Sequence, residues 1–168
     1  MKNLLIMFFV IVGAVKFFDW QYSRIDKLAY NHASGYSKLS KLEQDLRCLT
    51  DNLVMEAGIE SVEGKLAVAQ VTMNRVHSRH FGSDVCSVVY AEKQFSWTIN
   101  TPKNRNNYKH MNKRQYQESY EIAKKVLIEK FEVPSLRGAL YYHADYVTPR
   151  WASQKTKVTK IGKHIFYQ

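Results

Sequence analysis

LRCLTDNLVMEAGIESVEGKLAVAQVTMNR, residues 46–75, contains two helices and the turn between them. Leu46, Leu49 and Leu53 are spaced three and four apart, so they share one face of a helix over 43–58. Glu56 is the next position on that stripe, and Gly58 supplies a helix stop. An acid on an apolar stripe resists ionisation for two reasons. Burial disfavours the charged form, and so does the negative end of the helix dipole. Both effects suit a general acid that works near neutral pH. The plain alternative is a surface acid at a frayed helix end. After the turn, Ser61 reads as an N-cap with Glu63 in the first turn, opening a helix over 62–78. Leu66, Ala69, Val71, Met73 and Val76 make that helix apolar almost all round, the pattern of a central buried helix.

Glu60 and Glu63 lie four and seven residues beyond Glu56. Gly58 breaks the helix that would align all three, so a paired-carboxylate glycosidase is not indicated. Glu60 reads as a polar loop contact and Glu63 as helix-start electrostatics.

Upstream, MKNLLIMFFVIVGAVKFF at 1–18 has one lysine, then an apolar run too short to span a bilayer as a helix of about 20 residues. It fits a signal peptide or an interfacial anchor, and either sends the rest of the chain out of the cytoplasm. Residues 19–42 read as a linker, which leaves 43–168 as the catalytic domain. Among 168 residues, 25 Lys and Arg stand against 15 Asp and Glu, a formal charge of +10. That balance favours an anionic partner: an envelope polymer, a membrane surface or nucleic acid. An exported protein with no nucleic-acid motif points away from the last of these. Cys48 and Cys86 have no metal-site spacing. They are a pair of buried thiols or, as export favours, a disulfide.

Downstream, Ser83 or Asp84 caps a short helix through Tyr90. Gln94-Phe95-Ser96-Trp97 reads as an extended, aromatic-walled piece, and 100–111 as a basic loop. Asn112 to Phe131 reads as an amphipathic helix with Tyr116, Tyr120, Ala123, Leu127 and Phe131 as its stripe. Residues 138–146 and 160–167 are β-like and pair across a connection containing Pro149-Arg150-Trp151. His143 and His164 lie in these two strands and are expected to face each other, for a structural hydrogen bond or, as the sharper alternative, a zinc site. His77 and His80 read as solvated. Gln94, Ser96, Trp97, Tyr142 and His143 combine rings with polar groups, as a sugar-binding groove requires, although such aromatics are more often core. No metal and no cofactor is expected.

Several blocks, in order, resemble the cell-wall hydrolases of the spore cortex-lytic (SleB-like) type. They are Cys48-Leu49, Met55 to Glu60, Glu63 to Val71 and Asn74-Arg75-Val76, then Val85 to Tyr90, Gln94 to Trp97, Tyr142 to Trp151 and Lys160 to Tyr167. The resemblance covers about 45–167. It implies an α+β, mainly α, lysozyme-like domain with a small antiparallel β element. It also implies cleavage of the β-1,4 bond between N-acetylmuramic acid and N-acetylglucosamine in peptidoglycan. The family's acid is the first Glu of a Glu-Ala-Arg-Gly-Glu motif, which falls on Glu56. Here the motif reads Glu-Ala-Gly-Ile-Glu, with Gly58 and Ile59 replacing Arg and Gly. The expectation is an exported lytic transglycosylase that acts on peptidoglycan strands through Glu56 alone. Possible membrane contact rests on residues 1–18. Three alternatives remain: a muramidase using water, a zinc amidase using His143 and His164, and a non-catalytic wall-binding protein.

Overall fold

The computed structural model describes residues 40–100 and 112–168, five single positions before 40, and only the backbone at 99 and 100. Residues 1–18 and the loop at 101–111 lie outside the described residues, and with them the signal or anchor segment and most of the basic loop. Two compact units divide the chain, Met1–Leu42 and Glu43–Gln168. In the first, the described positions are helical. Among the described residues no helix is long and apolar enough to cross a membrane.

The second unit is mainly α with a small antiparallel sheet. Its first helix, α1, is helical from 43 through 57. Leu49 and Leu53 are fully buried and Leu46 nearly so, which confirms the stripe. A Cβ on Gly58 would collide with the carbonyl oxygen of Val54, so the chain turns there on the residue that permits it. Helix α2, Val62–Ser78, starts on the Ser61 cap, whose side chain accepts from Gly64 N–H, and is buried from Gly64 through Thr72. Asn52 of α1 donates from Nδ2 to Thr72 Oγ1 at 3.3 Å, and both residues are fully buried. This bond joins the two helices inside the apolar layer, where an unpaired amide would be costly.

Helix α3, Val85–Val89, begins on an Asp84–Ser87 capping box. Cys86, at its start, is disulfide-bonded to Cys48 of α1, with Cα atoms 5.2 Å apart. The 94–97 stretch is not extended as expected. It is a turn, with Phe95 buried in the core, followed by helix α4 over Trp97–Asn100. Lys93 adopts a left-handed conformation at φ 61°, and the reversal it makes prevents a strand there.

Helix α5, Lys113–Leu127, is capped by Asn112 and ends before Phe131. Its buried face is Ser119, Ile122, Ala123, Val126 and Leu127. The expected stripe is therefore rotated: Tyr116 and Tyr120 are only half-buried, because a tyrosine can bury its ring edge and keep its hydroxyl wet.

The sheet has three strands in the order β1-β3-β2, with β1 at Tyr141–Ala144, β2 at Lys157–Ile161 and β3 at His164–Tyr167. The expected pairing of 138–146 with 160–167 is present as β1 with β3, but 160–167 is not one strand: the chain turns at Gly162 and Lys163, where Gly162 takes φ +57°, and Lys160 and Ile161 belong to β2. Strand β2 completes the sheet through an irregular register between Lys157 and Thr159. Phe166 of β3 packs with Ala67 and Val71 of α2 and with Leu136 and Ala139, and Tyr142, Val158 and Ile161 close around this cluster.

Candidate active site

Glu56 is the penultimate residue of α1 and is half-buried. Tyr142 of β1 donates its hydroxyl to Glu56 Oε2 at 3.0 Å. Burial raises the Glu56 carboxyl above the usual carboxylate range, while the bond from Tyr142 and the charge of Arg75 partly oppose it. Burial and the adjacent Glu56 push the Tyr142 phenol well above its ordinary value, so Tyr142 remains a donor across the working pH range. The group is thus a carboxyl that holds its proton more tightly than a solvated one, kept in one orientation by a neutral phenol.

Arg75 comes from the last turn of α2 and is buried. Its Nε donates to the carbonyl of Leu140, the residue before β1, at 2.8 Å. Next to it, Asn74 donates to the carbonyls of Leu136 and Ala139 at 2.9 and 2.8 Å. The end of α2 therefore grips the segment that delivers Tyr142 to Glu56. In the sequence, Asn74 and Arg75 belong to one of the blocks that carry the resemblance, but nothing there gives either a contact or a role. A basic residue in a last turn is ordinarily solvated, and nothing local marks this one as buried.

The backbone turns after Glu56, and Glu60 N–H donates to the Ala57 carbonyl at 3.0 Å. The Glu60 carboxylate does not join Glu56. It accepts the Lys163 backbone N–H at 3.2 Å, at the β2–β3 turn. A Cβ on Gly162, whose φ is +57°, would strike Glu60 Oε2. Glu60 is thus the polar loop contact its position suggested, and Glu63 lies in the first turn of α2.

The remaining expected groove residues divide into three groups. Trp97 donates its indole N–H to Asn52 Oδ1 at 3.2 Å and meets the Tyr90 ring edge-on at 5.7 Å. Asn52 lies one helical turn before Glu56, so Trp97 stands along the same side of α1 as the acid. Gln94 is half-buried and Ser96 exposed in the turn before Trp97. His143 does not join Tyr142, because adjacent strand residues point to opposite faces. Its Nε2 meets the Tyr167 hydroxyl at 2.9 Å, and its ring packs on Trp151.

His143 and His164 do not face each other. Strand pairing sets His143 opposite Ile165 and His164 opposite Ala144, a one-residue offset that puts the two rings on opposite sides of the sheet. His164 instead lies edge-on to Tyr142 at 5.2 Å, and burial lowers its pKa. The zinc-amidase alternative loses its paired ligands. Asp45, Asp84 and Cys86 approach one another as metal ligands would, but the Cys86 sulfur is committed to the disulfide. His77 and His80 are exposed.

Residues 59–167 match the profile of a family described as Cell Wall Hydrolase. The match takes in Arg75 and Tyr142 and begins just after Glu56. The spore cortex-lytic enzyme of Bacillus subtilis (strain 168) is 27% identical over 143 residues, covering 84% of this chain and 41% of that protein. That of Halalkalibacterium halodurans is 26% identical over 140 residues, covering 82% and 37%. The chain therefore spans less than half the length of these relatives. Among solved structures, the catalytic domain of the germination-specific lytic transglycosylase SleB from Bacillus anthracis is similar at TM-score 0.56 and 27% identity. It covers 74% of this chain and 93% of that domain. The Bacillus cereus SleB catalytic domain gives TM-score 0.54 at 25% identity, over 75% and 91%.

Proposed function

The chain belongs to the Cell Wall Hydrolase family, and from that premise we propose that it cleaves the β-1,4 MurNAc–GlcNAc bond of peptidoglycan as a lytic transglycosylase. Glu56 is the single acid and base. The observation that carries this reading is the half-buried Glu56 carboxyl with its pKa raised and one oxygen bonded to Tyr142. A carboxyl in that state donates its proton to the glycosidic oxygen. The C1–O4 bond breaks with its electron pair moving to that oxygen, and positive charge develops at C1 of the muramic acid. The C6 hydroxyl of the same sugar attacks C1, and its proton passes to the Glu56 carboxylate. The acid is regenerated, a 1,6-anhydro end forms and no water is consumed. Glu60, turned away to the β2–β3 hairpin, supports a one-carboxylate scheme over a two-carboxylate one.

Tyr142 orients the acid. Trp97, held by Asn52 beside α1, is suited to stack on a sugar ring of the bound strand. The formal charge of +10 keeps the protein on an anionic wall. The reading places the domain outside the cytoplasm, delivered or tethered by residues 1–18. Digestion of purified sacculi, with mass spectrometry of the products, tests it. Wild type is expected to yield anhydro ends, and Glu56→Gln to lose at least about a thousandfold in rate. Reducing ends in place of anhydro ends favour hydrolysis by water, and full activity of Glu56→Gln removes the proposal.

A further inference from the structure

We propose that Arg75 is a positioning residue for this reaction, a buried fixed cation that acts through Glu56 by stabilising its carboxylate state. The inference rests on Glu56 being the acid and base. Arg75 is 6% exposed, a rare state for an arginine unless it is paired. Its guanidinium carbon lies 5.1 Å from the ring centres of both Phe81 and Phe95, and its Nε is fixed on Leu140. Nη1 is buried with no hydrogen-bond partner among the described residues. This is expensive architecture for a bond that only anchors a loop. Asn74 already ties the same segment at two carbonyls.

The charge has a recipient. Groups that act electrostatically on Arg75 are Glu56 from α1 and Tyr141 and Tyr142 from β1, and Glu56 is the one carboxylate among them. Those that act on Glu56 are Tyr142 and Arg75, with His164 one ring further on behind Tyr142. When Glu56 gives up its proton, a carboxylate is left in a low-dielectric setting, and a rigidly held cation lowers the cost. Without it, Glu56 is a weaker acid: it stays protonated to higher pH but donates more slowly.

The test is the pH dependence of turnover on sacculi for the full chain carrying Arg75→Gln, Arg75→Lys, Ser61→Ala or Glu56→Gln. In Arg75→Gln the alkaline limb is expected to move up by about one pH unit, with a roughly tenfold lower maximal rate. Arg75→Lys should hold the limb within about 0.3 units of wild type, because the charge is kept. Ser61→Ala, which removes the cap at the opposite end of α2, should lower the melting temperature and leave the limb in place. A limb unmoved in Arg75→Gln, or moved as far by Ser61→Ala, overturns the proposal. Should Arg75→Gln fail to fold, Arg75→Met, which fills the same apolar site without charge, is read in its place by the same criterion. Activity in Glu56→Gln instead overturns the acid–base reading, an outcome distinct from an inactive Glu56→Gln with an unmoved Arg75→Gln limb.

Discussion

The Tyr142 hydroxyl and the Glu56 carboxylate meet at 3.0 Å across 86 residues of sequence. The bond connects the end of a helix to the first strand of a sheet that packs on a different helix. It favours the charged form of Glu56, in opposition to burial. Tyr142→Phe should therefore raise the Glu56 pKa and move the alkaline limb of the activity profile upward by about one unit. Loss of orientation should cut the rate at the optimum about tenfold or more. A pH series on sacculi reads both effects, and an alkaline limb that falls instead would contradict the assigned hydrogen bond.

Glu56 should cost the protein stability where it is ionised. Its folded pKa lies above the unfolded value, so the folded state binds the proton more tightly. That contribution is fully present below the unfolded pKa and is lost as pH rises through the folded one. Glu56→Gln should accordingly melt higher than wild type at pH 7–8, by about 2–4 °C for each kcal/mol recovered, with the gap closing toward acid pH. Calorimetry at several pH values measures it. A gap that widens in acid would reverse the inferred direction of the shift.

Cys48 and Cys86 are separated by 38 residues and join α1 to α3. Cross-linking a loop of that size contributes about 3–4 kcal/mol, chiefly by restricting the unfolded chain. Cys48→Ala with Cys86→Ala, or reductant on the wild type, should lower the melting temperature by roughly 10 °C. An equal melting temperature with and without reductant would show that the thiols are not cross-linked in solution.

Gly162 adopts φ +57° directly over the Glu60 carboxylate. Gly162→Ala should destabilise the fold by about 1–3 kcal/mol, part from the left-handed backbone and part from the collision. Adding Glu60→Ala should return the collision share and leave the backbone share. Urea denaturation of the two single variants and the double variant separates them, and strict additivity would mean that the residues do not touch.

The features legible in sequence were those set by neighbours within a turn or two. The leucine stripe of α1, the Ser61 and Asp84 caps and the reach of α2 all follow from local spacing, and all are present. Features fixed by distant partners were not legible. Strand β2 reads Lys-Val-Thr-Lys-Ile, too short and too charged to announce itself, and it is a strand because β3 pairs with it. The opposite faces of His143 and His164 depend on a single step of register that no composition encodes. Arg75 looked like any basic residue closing a helix, and only the two phenylalanine rings around it reveal a buried charge. Tyr142 was picked out for its ring, whereas its hydroxyl makes the bond to the acid.

The middle strand of the sheet, β3, is also the last of the three to be synthesised. While the ribosome is still at work upstream of residue 164, β1 has no strand to pair with, and only the hold of Asn74 and Arg75 on the carbonyls of Leu136, Ala139 and Leu140 keeps the phenol near Glu56. The helical half, whose contacts are local, is free to take shape first, because short-range contacts form sooner than long-range pairing. The Glu56–Tyr142 contact is therefore completed only when β3 pairs with β1, and a nascent chain released before that strand carries the carboxyl with its phenol partner unsecured.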